Sequence, residues 1–174
     1  HPNIVGIKEA SGNIGQISRI IEDTQDEDFM VISGDDGITL PILALGGAGV
    51  ISVTANVDPA RMVAMYEAFK QGDYQKALVI HYALSPLHRA MFIDTNPIPV
   101  KKAVELIGQA GGPVRLPLDE MDAKKTEQLK KVLATLPKGA VKAAPRPAMT
   151  KKAVKKPTPA KAAPKKAATR RTLR

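Results

Sequence analysis

Lys8 is the residue best placed to do chemistry. It follows Ile4-Val5-Gly6-Ile7, a short run rich in β-branched residues that reads as a buried strand. Side chains alternate along a strand, so Lys8 shares a face with Gly6 and Ile4, and that face points inward if Val5 and Ile7 meet helices. A lysine in a partly desolvated cleft keeps more of its amine neutral, and a neutral amine attacks ketones. The protonated imine that results is an electron sink. An adjacent methyl group can then lose a proton and become an enamine nucleophile. The competing reading is a strand-end lysine that extends its ammonium into water, and chain position alone favours it.

Two further strand ends carry unusual residues. Ser33-Gly34-Asp35-Asp36 follows the apolar run Phe29-Met30-Val31-Ile32, and Gly49-Val50-Ile51-Ser52 follows Gly46-Gly47-Ala48. Glycine at such a position lets the backbone approach a small ligand closely. Paired aspartates can act as acid and base or as metal ligands. More often they cap the helix that follows. No third carboxylate or histidine stands nearby in sequence, so no metal site is expected. His81 and His88 are seven apart, not four apart with a glutamate between, and read as packing or surface residues. The chain has no cysteine, which excludes disulfides, thiolate catalysis and cysteine-ligated zinc. It has neither GxGxxG nor GxxxxGK[ST], so no phosphate-cradling loop and no cofactor are expected.

The elements that must position these residues alternate. Strand, loop and helix recur three times up to Asp58, the pattern of parallel βα units in an α/β fold. In such folds sites assemble at the C-terminal ends of the strands, where Lys8, Ser33-Gly34-Asp35-Asp36 and Gly49-Val50-Ile51-Ser52 all fall. Three units are fewer than a closed barrel needs, and pattern alone also allows an open doubly wound sheet. Beyond Asp58 no strand pattern appears. Residues 60–70, 74–84, 99–107 and 123–136 read as helices, with Asp58 as a cap and Pro59 at the first helical position of the earliest. Glu127 stands four residues before Lys131, a supportive helical pair.

Charge divides the chain in two. Residues 1–136 hold 13 Lys+Arg against 17 Asp+Glu, whereas 137–174 hold 13 Lys+Arg and no acid, so the overall +9 describes neither part. The tail is mostly Lys, Arg, Ala, Pro and Thr, too poor in large apolar groups to offset the entropy of ordering, and disorder is expected there. The first residue is His1 rather than methionine, so a natural start upstream is expected. No signal peptide pattern is visible, and no apolar run reaches the roughly 20 residues of a membrane helix.

Together these motifs resemble one family. Gly6-Ile7-Lys8-Glu9-Ala10-Ser11-Gly12-Asn13 resembles the Schiff-base lysine segment of the dihydrodipicolinate synthase/N-acetylneuraminate lyase superfamily. Ser33-Gly34-Asp35-Asp36 and Gly46-Gly47-Ala48-Gly49-Val50-Ile51-Ser52-Val53-Thr54-Ala55-Asn56 are similar to its next two strand ends, and Asn96-Pro97-Ile98-Pro99-Val100-Lys101 to a segment of its helical appendage. The last three stretches favour the synthase branch over the N-acetylneuraminate and sugar-acid lyases, which stay as the alternative.

The resemblance implies the C-terminal part of a TIM (β/α)8 barrel, with the last three βα units in 1–71, a helical domain in 72–136 and the basic tail beyond. It implies Lys8 as the Schiff-base residue, with Gly34 and Ile51 contacting bound pyruvate. The implied reaction condenses that pyruvate with L-aspartate semialdehyde to 4-hydroxy-tetrahydrodipicolinate, in cytoplasmic lysine and diaminopimelate synthesis by a homotetramer. The family's threonine pair, proton-relay tyrosine, substrate-binding arginine and allosteric lysine site belong to earlier strands, so the 174 residues alone are expected to be inactive.

The tail has its own two readings. Thirteen positive charges favour phosphate binding by counterion release, making nucleic acid a candidate partner. The absence of aromatic stacking residues favours a solvated extension instead. A tail-based interaction requires that deleting 137–174 abolish salt-sensitive binding to duplex DNA in a gel-shift titration. Binding that persists unchanged refutes it.

Overall fold

The computed structural model describes residues 1–136, and the expectation about the basic tail lies outside them. The described residues form an α/β structure. Strand β1 (Gly6–Glu9), helix α1 (Ile14–Asp23), strand β2 (Met30–Ser33), helix α2 (Thr39–Ala44) and strand β3 (Gly49–Val50) alternate, and helices α3 (Pro59–Lys70), α4 (Tyr74–Ala90), α5 (Ile98–Leu106) and α6 (Ala123–Thr135) follow. The strands pair in parallel in the order β1-β2-β3. Short polar side chains start the helices. Asn13, Asp58, Asp73 and Asp122 each accept a backbone N–H from the first turn of α1, α3, α4 and α6, and Pro59 occupies the first turn of α3.

Three apolar clusters hold these elements. Ile17 of α1 and Ile42 of α2 pack with Val31 of β2. Met62, Met65 and Ala68 of α3 pack with Ala77, Ile80 and Leu84 of α4. Leu87, Ala90 and Met91, at the other end of α4, join Ile98, Val100 and Ala103 of α5 and Leu129 of α6. Helix α4 therefore belongs to two clusters at once.

That double role explains one departure from the sequence pattern. A helix over 74–84 was the expectation, but α4 continues through Pro86 to Ala90. An internal proline costs about 3 kcal/mol. Leu87 and Met91 beyond it are fully buried, and each such burial contributes roughly 1.5–3 kcal/mol, enough together to offset the proline.

The strands depart as well. The run 4–7 reads as a buried strand, yet pairing covers Gly6–Glu9, and Ile4, Val5 and Ile7 are exposed. Among the described residues β1 and β3 are the sheet's two outer strands, each with nothing paired on its free side. The run 50–53 reads as a strand too, but β3 covers only Gly49–Val50; Ile51 adds one more bond to the Ser33 carbonyl before the chain turns at Thr54–Asn56. At the surface, Glu127 pairs with Lys130 at 2.6 Å rather than with Lys131. Such exposed pairs contribute little.

His88 of α4 is buried and tied at 2.8 Å through Nδ1 to the hydroxyl of Thr54, while its Nε2 is buried with no protein partner. Burial holds its imidazole below the ordinary 6.5; Asp36 and Asp35 oppose that shift, and His81 and Arg89 reinforce it. The unfolded chain then takes up a proton near pH 6.5 that the folded chain does not. This contribution to stability is complete above that pH and is lost as pH falls toward the lowered value. His88→Gln is expected to flatten the fall in unfolding midpoint between about pH 7 and 5, measured by urea titration. His81, lowered by burial in the same direction, accounts for a residual slope.

Candidate functional site at the strand ends

Parallel register places the residues singled out above on one face. Lys8 stands opposite Ile32, and Ile32 opposite Gly49. One step beyond the paired strands, the N–H of Gly34 donates to the carbonyl of Glu9 at 2.7 Å, and that of Ile51 to the carbonyl of Ser33 at 2.8 Å. Two-residue alternation then puts Lys8, Ala10, Ile32, Gly34 and Ile51 on the face away from the helices. Glu9, Val31 and Ser33 lie buried on the other. Glu9 Oε1 there accepts from the Gln16 side chain of α1 and from the backbone N–H of Ser11, both at 3.1 Å.

Gly34 is the floor beneath Lys8. A Cβ at this position would stand 2.7 Å from Lys8 Cε and 2.6 Å from the Ala10 Cβ, closer than real contacts allow. The missing side chain therefore gives the lysine its path across the sheet. Lys8 and Ile51 line a cleft of about 510 Å³ between the strand ends and α5, together with Ser52, Asn96, Val100 and Lys101. Gly34 lies under Lys8 and does not itself line this cleft. Lys8 and Ile51 are both exposed, so the cleft is open on the side facing away from the helices. Asn96 and Lys101 come from the segment recognised in the sequence, but their approach to Lys8 across more than 85 residues had no local signal.

The two aspartates at the end of β2 do different things. Asp35 caps the short turn Asp36–Ile38, accepting the Gly37 N–H at 2.8 Å. Asp36 is buried and reaches across to the end of β3. One of its oxygens accepts the Ser52 hydroxyl, and the other accepts the backbone N–H groups of Val53 at 2.9 Å and Thr54 at 3.0 Å. The capping alternative thus describes Asp35, whereas the role of Asp36 depends on a loop 16 to 18 residues away. Among the described residues no group of three or more His, Asp or Glu side chains is arranged to hold a metal ion. A lysine amine over a glycine floor, in a cleft with hydroxyl, amide and ammonium groups, is suited to capture a small carbonyl compound that carries negative charge.

Comparison with known proteins narrows this. The model described as the Dihydrodipicolinate synthetase family matches residues 1–136. The 4-hydroxy-tetrahydrodipicolinate synthase of Methanoculleus marisnigri is 77% identical over 133 residues, covering 76% of this chain and 46% of the relative. That of Methanosphaerula palustris is 68% identical over 135 residues, covering 78% and 46%. Among solved structures, the dihydrodipicolinate synthase of Thermotoga maritima superposes with a TM-score of 0.74 at 44% identity, covering 76% of this chain and 46% of that one. The chain spans about half the length of the relatives it matches. Matched over every residue described here, the chain belongs to the dihydrodipicolinate synthetase family.

Proposed function

We propose that this chain supplies the imine-forming half of a 4-hydroxy-tetrahydrodipicolinate synthase, with Lys8 as the nucleophile. The observation that carries the reading is Lys8 lying across Gly34 and sharing one cleft with Ile51. The neutral Lys8 amine attacks the keto carbon of pyruvate, and loss of water leaves a protonated imine. The pyruvate methyl then gives up a proton, and the enamine adds to the aldehyde carbon of L-aspartate semialdehyde. Gly34, through its backbone carbonyl, and Ile51 contact the bound pyruvate. The high identity to relatives named as synthases, rather than lyases acting on sugar acids, favours this substrate pair.

The same reading extends to architecture. The parallel sheet with its helices represents the last three βα units of a TIM barrel, over 1–71, and 72–136 form the appended helical domain. The likeness to solved synthases supports this division. The other strands of the barrel would close the open side of the cleft and cover the free edge of β1, which an isolated sheet leaves unprotected. A homotetramer working in the cytoplasm belongs to the same proposal. No described helix is long and apolar enough to cross a membrane.

Borohydride reduction tests the chemistry. Full-length enzyme treated with pyruvate and borohydride is expected to gain the mass of a reduced pyruvate adduct on the peptide containing Lys8. Labelling at another lysine, or none, removes Lys8 from its role. Gly34→Ala tests the floor. Crowding of this kind costs about 1–3 kcal/mol, so kcat/KM for pyruvate is expected to fall at least about fivefold in steady-state assays.

A further inference from the structure

We infer that Asp36 is a positioning residue for the reaction, fixing the wall of the cleft that faces Lys8. The inference rests on the reading of Lys8 as the imine-forming residue. Asp36 is 1% exposed and is not among the residues lining the cleft, so it acts through others. Its carboxylate holds Ser52, Val53 and Thr54 by three hydrogen bonds, one to a hydroxyl and two to backbone N–H groups. Ser52 and Val53 line the cleft, as does Ile51 immediately before them.

The local sequence argues that this hold is necessary. Val50-Ile51-Ser52-Val53 is a β-favouring run, and nothing in it predicts a bend. Yet the strand stops at Val50 and the chain folds into a short turn at Thr54–Asn56. The N–H groups that bend away from the ladder, those of Val53 and Thr54, are the ones the carboxylate accepts. The Ser52 hydroxyl in turn accepts the Ala55 N–H at 2.8 Å, which carries the constraint into the turn. Without the carboxylate three buried or half-buried donors lose their acceptor, a costly state that extending the strand would relieve. Extension would turn Ser52 and Val53 out of their present places in the wall.

Both ends of this clamp are themselves held. On the side of β2, the Ser33 hydroxyl donates to the Asp35 carbonyl at 2.7 Å and accepts the Asp35 N–H at 3.1 Å, fixing the turn that also bears Gly34. On the far side, the Thr54 hydroxyl is bonded to His88 of α4, and Val53 packs against the apolar cluster of α4, α5 and α6. One carboxylate thereby sets the spacing between the floor of the site and its wall.

The test uses the full-length enzyme with Asp36→Asn, close to the native side chain in shape but with half its acceptor capacity, and Ser52→Ala, which removes the hydroxyl bonds to Asp36 and to the Ala55 N–H and no charge. Steady-state KM and kcat for pyruvate are measured beside borohydride trapping at saturating pyruvate. Asp36→Asn is expected to raise the pyruvate KM at least about tenfold and Ser52→Ala several-fold, with the extent of Lys8 trapping unchanged at saturation. A lowered melting temperature with KM unchanged in both variants would make Asp36 merely structural and overturn the inference. Should Asp36→Asn fail to fold, Ser52→Ala decides by the same two readouts. If the unsubstituted enzyme fails to trap pyruvate on Lys8, the reading of Lys8 falls, and this inference with it.

Discussion

Parallel strand register is the constraint on which the rest of this structure depends. It sets Lys8 against Ile32 and Ile32 against Gly49, and one further step brings Gly34 and Ile51 level. Because side chains alternate, a slip of one residue would send Lys8 to the helix side, among buried groups such as Val31 and Ser33. The burial of Glu9 against Gln16 of α1 works against that slip, since the neighbouring residue already has its place on the helical face. Position and chemistry are thus joined through a single alternation.

A second layer of control comes from the connections between strand ends and helices. Asp36 ties the end of β2 to the end of β3, Thr54 passes the link to His88, and His88 sits in a helix that belongs to two apolar clusters. Helix α4 can carry that load only because it runs on through Pro86, held by the burial of Leu84 and Leu87 on either side. A polar chain therefore runs from the cleft wall into the helical part, and each link is paired until the Nε2 of His88.

The open face has a physical meaning of its own. Met30 and Ile51 remain about half exposed on the side that carries Lys8, and no described strand pairs with the outer edge of β1. In the proposed barrel, apolar side chains and strand edges in such positions would be covered by neighbouring strands.

Local pattern in the sequence was enough to establish the alternating βα units, the Asp58 cap of α3 and the candidacy of Lys8, because these follow from neighbours within a few residues. It also made capping the favoured reading of the Asp35-Asp36 pair. It could not separate Asp35 from Asp36, since the partners of Asp36 lie beyond the next strand. Nor could it foresee that β3 ends at Val50 or that α4 survives Pro86, where a buried carboxylate and a packed cluster override local preference. For Lys8 the sequence determined the strand and the alternation. Only the tertiary structure decided what the lysine lies upon and what it faces, because Gly34, Ile51 and Lys101 reach it through pairing and packing of segments far apart in sequence.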